Sequence, residues 1–235
     1  MDSIVSEERE NLQVQGSSSA DLQSIYRARF DATAERRREV WRTLVEEFFQ
    51  RYIPDNAVVV DIGAGYCDFS NHVKAKRKIA MDLNPDLKSR AAADVEAIMT
   101  NVCQTWPVES ESVDVCFSSN FIEHLPSKEA LGHCLAECHR VLKPGGKVIF
   151  LGPNIRFCYD VYWDFFDHMI PLSDRSVCEA LTISGFSVSE SIAQFLPYTM
   201  QGKTPAHPFL VKTYLKLPFA WRFFGKQFLV AATKR

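Results

Sequence analysis

Hydrophobic and polar positions follow two rhythms along this chain. Apolar side chains recur at three- and four-residue spacing at Val40, Trp41, Leu44, Val45, Phe48, Phe49 and Tyr52. That spacing predicts a helical cover over 21–53, ended by Pro54-Asp55-Asn56. Short, nearly continuous apolar runs follow at 57–61, 78–82, 95–100, 113–118 and 147–151. Each has strand length, and the stretches between them, such as 126–142, can be helical. Alternation of this kind predicts an α/β fold, a parallel sheet with helices on both faces. Right-handed crossovers then put a ligand at the carboxyl ends of the strands.

After Leu151 the rhythm breaks. Residues 152–172 and 194–226 are aromatic and irregular, and read as two insertions. Between them a helix is expected at about 173–183, stopped by Gly185, then a strand near 186–192. A last strand is expected at 227–233. No internal repeat or second domain is visible, so the reading is a polar, flexible arm at 1–20 and one domain over 21–235.

Composition changes this picture little. At 235 residues the chain can bury a full core, and its 46% hydrophobic and 24% charged content is that of a globular protein. A net charge of −2 gives no general reason to expect nucleic acid binding. No apolar run is long enough to span a bilayer, and the first residues are not signal-like. Seven cysteines without paired spacing read as reduced thiols, as in a cytoplasmic protein.

Chemistry concentrates in V-V-V-D-I-G-A-G-Y-C-D-F, residues 58–69. A strand running into glycines suits a nucleotide, but Asp61 precedes the first glycine and Cys67 stands where a third is usual. A carboxylate there repels a pyrophosphate and suits S-adenosylmethionine, which carries an amine and a sulfonium and no phosphate. Further blocks follow in order: I-A-M-D-L-N-P (79–85), V-D-V-C-F-S-S-N-F-I-E-H-L-P (113–126) and R-V-L-K-P-G-G-K-V-I-F (140–150). With these the chain resembles the class I S-adenosylmethionine-dependent methyltransferases, in their broad small-molecule subgroup. The resemblance implies a doubly wound, Rossmann-like sheet of seven strands, mostly parallel, with an antiparallel last strand. It also implies that Asp61, Gly63 and Gly65 wrap the methionine part of the cofactor. Asp82 would hold the ribose hydroxyls, Leu83 pack on the adenine, and Asn101 and Val102 meet its edge. Asn120, at the end of the fourth strand, would line the same pocket.

Methyl transfer is an in-line displacement that asks for alignment and desolvation rather than a metal, so none is expected. For a hydroxyl acceptor a base helps, and His124 is the leading candidate, with a purely structural role as its alternative. In W-D-F-F-D-H-M (163–169), Asp164, Asp167 and His168 could bind a metal, act as acid or base, hold a polar acceptor or serve as capping and surface residues, and Trp163 is a candidate acceptor contact. Tyr26 and Arg29 are candidate cofactor or acceptor contacts, or part of a solvated basic helix with Arg36, Arg37 and Arg38. His133, Cys134, Cys138 and His139 invite a zinc reading, but both cysteines fall on an apolar helical stripe and belong to the core. Asp114, at the start of its strand, reads as structural. The segment 198–226 mixes five Lys and Arg with aromatics, which suits a basic lid, a membrane contact or a packed excursion. It also carries His207, a second candidate base. The expected function is methylation of a small molecule, at a hydroxyl of a glycan or secondary metabolite. A catalytically silent cofactor-binding protein and a nicotinamide oxidoreductase are the alternatives.

Overall fold

The computed structural model describes residues 34–198 and 207–235. The arm at 1–20, the first part of the predicted helical cover, and Tyr26 and Arg29 lie outside the described residues. Seven strands form one sheet: β1 (Val58–Ile62), β2 (Arg77–Asp82), β3 (Val95–Met99), β4 (Val113–Ser119), β5 (Leu142–Pro153), β6 (Phe186–Ile192) and β7 (Gln227–Lys234). Their order is β3-β2-β1-β4-β5-β7-β6. Neighbours among β1 to β5 run parallel, and β7 runs antiparallel to both β5 and β6. The order reverses between β1 and β4, so the crevice of this sheet opens above the glycines after β1.

The nearly continuous apolar strands are explained by burial on both faces. Val60, Ile62, Cys116, Val148, Phe150 and Val230 pack to one side, against the helix α3 (Lys128–Val141) and the helix α5 (Asp174–Ile183). Val59, Val115, Phe117, Ile149, Leu151 and Leu229 face the other side, toward α1 (Ala34–Glu47) and a 3-10 turn at Phe49–Tyr52. The remaining helices are α2 (Leu87–Arg90), α4 (Ile155–Cys158), α6 (Pro208–Leu215) and α7 (Pro218–Phe224). Local chemistry sets the helix ends: Ser127 caps α3 by accepting from Ala130 N, and Ser173 and Ser176 form a capping box on α5. Gly185 closes α5 at φ +88°, a left-handed conformation that glycine adopts without strain.

Four expectations change in detail. The segment after the glycines, 65–72, is a string of turns rather than a regular helix. Pro144-Gly145-Gly146, which falls between the expected helix at 126–142 and the expected strand at 147–151 and would form the tight loop joining them, instead lies inside β5 as an irregularity, where the pairing with β4 shifts register. Arg37 is not part of a solvated basic face, because its Nε sits 2.7 Å from Asp68 Oδ2 and ties α1 to the turn after β1. Asp114, as expected, is structural: Oδ2 accepts from Val58 N at 2.8 Å and Oδ1 from Lys143 Nζ at 2.7 Å. Cys134 and Cys138 are fully buried on α3, and burial helps to hold their thiols neutral, so the zinc reading falls. The fourth change concerns His207, which accepts from Phe209 N as the N-cap of α6 and is exposed, away from the predicted base role.

Candidate active site

The glycine turn is built to close on itself. Gly63 and Gly65 take φ of +66° and +53°, and a Cβ on Gly63 would fall 2.1 Å from the Phe121 ring. Gly63 N and Ala64 N both donate to Met81 O on β2, at 2.9 and 3.0 Å. Gly65 N donates to Asp82 Oδ2 at 2.7 Å, and Asn84 N donates to Asp82 Oδ1 at 2.7 Å. The N–H groups that would cradle a phosphate are therefore occupied within the turn. Cys67 also takes a left-handed backbone, φ +59°, so the position of the missing third glycine keeps a glycine-like conformation. Its thiol is buried, which pushes its titration up and leaves it inert.

Two acids meet at this turn. Asp61, near the end of β1, is buried and accepts from the hydroxyl of Ser70. Burial pushes its carboxyl up to about 7, against the pull of Ser70 and with a smaller contribution from the charge of Asp82. Asp82, the last residue of β2, is likewise raised by burial, opposed by the N–H groups it accepts from and by nearby His124. Each oxygen of Asp82 keeps a second lone pair for a ligand hydroxyl. Leu83 stands half exposed beside it, and fully buried Asn84 leaves its Nδ2 without a partner. Asn101 closes a turn by accepting from Cys103 N at 2.9 Å, while Val102 buries its side chain in the core. Asn120 leaves β4 at φ +49°, its N–H on Leu151 O at 2.8 Å and its Nδ2 donating to Ser119 Oγ.

A second cluster forms where the chain leaves β4 and returns after β5. His124 ends a 3-10 turn, Ile122–His124, and its Nδ1 lies 2.8 Å from Asp167 O. A carbonyl only accepts, so Nδ1 carries the proton, and in the neutral ring Nε2 keeps its lone pair. The ring centroid of His168 lies 4.9 Å away, and Asp167 Oδ2 lies 3.4 Å from His124 Nδ1. The sequence did not mark Glu123 as chemistry, yet it is buried, with Oε1 3.9 Å from His124 Nε2 and Oε2 without a partner. Burial pushes its carboxyl up to about 7. Ligand atoms of Glu123, His124 and His168 lie within 4.8 Å of one another, the donor types of a metal centre. Asp164 is exposed outside this group, and Trp163 is 56% exposed beside Tyr162. The signal for Glu123 was present, as the residue before His124, but only folding shows that its carboxylate is sealed under the cluster.

The comparisons fit this geometry. Residues 60–150 match the family described as a methyltransferase domain. A malonyl-[acyl-carrier protein] O-methyltransferase of Yersinia pestis is 32% identical over 125 residues, 52% of this chain and 45% of that protein. The chain spans about half the length of the curated relatives it matches. Among solved structures, an S-adenosylmethionine-dependent methyltransferase of Archaeoglobus fulgidus superposes with a TM-score of 0.62 at 16% identity, covering 84% of this chain and 94% of that one. A geranyl diphosphate C-methyltransferase of Streptomyces coelicolor, solved with Mg2+, geranyl diphosphate and S-adenosylhomocysteine, gives 0.56 at 16% identity over 80% and 79%. Residues 60–150 of the chain thus carry a methyltransferase domain, set in a doubly wound sheet that solved S-adenosylmethionine-dependent methyltransferases share.

Proposed function

We propose that the protein transfers a methyl group from S-adenosylmethionine to an oxygen of a small-molecule acceptor. The observation that carries the cofactor assignment is the turn after β1, where acids converge and the N–H groups are already taken. Such a turn favours a cationic ligand and disfavours a pyrophosphate. On this reading Asp61 meets the methionine amine, Gly63 and Gly65 give it room, and Asp82 accepts from the ribose hydroxyls. Leu83, Asn101, Val102 and Asn120 line the adenine and sulfur side, as the resemblance implies. The cofactor supplies an activated methyl; the chain supplies alignment and a dry crevice.

On the acceptor side, His124 Nε2 takes the hydroxyl proton while Asp167 O fixes the ring. Buried Glu123 and His168 then set the local polarity, with Trp163 and Asp167 at the acceptor edge. The O-methyltransferase relative from Yersinia pestis supports an oxygen acceptor without fixing which one. The domain is read as one unit over 21–235.

Calorimetric titration with S-adenosylmethionine, S-adenosylhomocysteine and NAD tests the cofactor. The sulfur nucleotides bind, and Asp82→Ala weakens them by more than about tenfold, as lost charged hydrogen bonds of roughly 1.5–3 kcal/mol require. Binding of NAD alone would overturn the assignment, and binding without turnover on any acceptor would favour the silent binding protein. In turnover assays on an acceptor found by screening hydroxyl compounds, His124→Ala lowers kcat by about 10²–10⁴-fold and leaves S-adenosylhomocysteine affinity unchanged. An unchanged kcat on that acceptor would show that His124 is not the base.

A further inference from the structure

Ten of the thirteen exposed large apolar side chains among the described residues lie in the two insertions, 152–172 and 194–226. Six of them, Phe209, Leu210, Leu217, Phe219, Phe223 and Phe224, stand on or between α6 and α7, and Phe223 is 79% exposed. These helices already have a packed inner side. Leu215 and Trp221 are buried, Tyr214 donates to Phe195 O at 2.7 Å, and Trp221 Nε1 donates to Tyr214 O at 2.9 Å. The six are thus outward residues rather than a core left open. In the other insertion, Trp163 and Phe166 are 56% and 93% exposed. Both insertions rise from one end of the sheet: β5 ends at Pro153 opposite Gln227, where β7 starts, and Asn154 N donates to Lys226 O. That end also carries His124 and Asp82. Scattered apolar residues on a surface need no explanation, but a concentration in two insertions that leave the same end of the sheet does.

Charge says what covers it. From Ser191 to Arg235 the chain has seven Lys and Arg and no acid; all of its Asp and Glu lie earlier. Lys212 pairs with Glu47 and Lys226 with Asp160, whereas Lys216 and Arg222 stand exposed among the phenylalanines. Protein–protein interfaces are depleted in lysine, and phenylalanine and leucine interleaved with lysine suit the boundary between acyl chains and anionic headgroups. No described helix is long and apolar enough to cross a membrane, so contact would be at the surface. We propose that this rim, centred on α6 and α7, docks on an anionic lipid surface, with the phenylalanines in the acyl boundary and Lys216 and Arg222 at the headgroups. The proposal stands apart from the identity of the methyl acceptor.

Co-sedimentation of the full chain with vesicles of phosphatidylcholine, with and without phosphatidylglycerol, tests it. The wild type sediments with the phosphatidylglycerol vesicles, and raising the salt weakens binding by screening. Phe219→Ser with Phe223→Ser lowers vesicle affinity by about tenfold or more, since each removes an exposed aromatic that the bilayer would bury. Lys216→Glu with Arg222→Glu removes the preference for phosphatidylglycerol. Both pairs lie on exposed positions, so unchanged S-adenosylhomocysteine binding confirms folding. Absence of vesicle binding by the wild type, or equal binding by the serine pair, overturns the proposal. A self-associated wild type that the serine pair renders monomeric, with no vesicle binding, would assign the rim to a second copy instead. Binding of an acidic protein partner in place of vesicles would overturn it equally.

Discussion

At the scale of a residue, Cys67 answers the question its sequence raises. A glycine at this place would satisfy a left-handed backbone, and the cysteine adopts that backbone anyway, at φ +59°. The left-handed conformation costs a side-chain-bearing residue roughly 1–2 kcal/mol. Cys67→Gly removes that cost along with the thiol, whereas Cys67→Ala removes the thiol and keeps the strain. Urea unfolding should therefore find the glycine variant more stable than the alanine variant by about 1 kcal/mol, the reverse of the usual order. The turn tolerates cysteine because the side chain is small and packs with Ala80 and Leu87. Gly63 has no such latitude, since the Phe121 ring occupies the space beside it. Both demands come from neighbours distant in sequence, so the glycine pattern could be recognised in the chain but its tolerances could not.

At the scale of an element, the strands were legible because their apolar runs are buried on two faces, and the predicted limits differ from the observed ones by a residue or so, except at β5, which starts five residues earlier, at Leu142, and ends two later, at Pro153. What joins them was less so. Asp114 holds β4 to the start of β1 through Val58 N and also holds Lys143 of β5, across 56 and 29 residues of sequence. Asp114→Ala strands the Val58 N–H at the head of β1 and should cost about 1–3 kcal/mol in chemical denaturation. Lys143→Ala should cost less, because that pair is largely exposed. The departure over 65–72, turns in place of a helix, has the same origin. There the chain bends to bring Ser70 to Asp61 and Asp68 to Arg37, and these contacts replace a regular helical ladder.

At the scale of the whole molecule, the acids under the crevice set its response to pH. Asp61 and Glu123 are buried, with carboxyls raised from ordinary values of 3.8 and 4.5 to about 7. Between those limits the folded chain holds protons that the unfolded chain has released, so stability falls as pH rises from about 4 to about 7 and stays lower above. Asp61→Asn and Glu123→Gln should each flatten this fall, which thermal unfolding at pH 5 and pH 8 would measure. A variant whose stability drops as steeply as the wild type would show that its carboxyl is not held neutral by burial. A cationic cofactor beside Asp61 would stabilise the ionised form and so reverse part of that loss at pH 8.

The amino-acid sequence by itself determined the strand–helix alternation, the resemblance to the family, and the identity of Asp61, Gly63, Gly65, Asp82 and His124 as the residues to watch. Periodicity and local motifs carry that information, because they depend on side chains a few positions apart. Only the tertiary structure decided that Glu123 lies buried beside His124, that Asp167 presents a backbone oxygen to fix its ring, and that Asp164 stands outside. It alone showed the occupied N–H groups of the glycine turn and the gathering of both aromatic insertions at one end of the sheet. The burial of Glu123 aside, these are juxtapositions of residues seventeen or more positions apart, and they exist only once the strands have paired and the helices have packed against them.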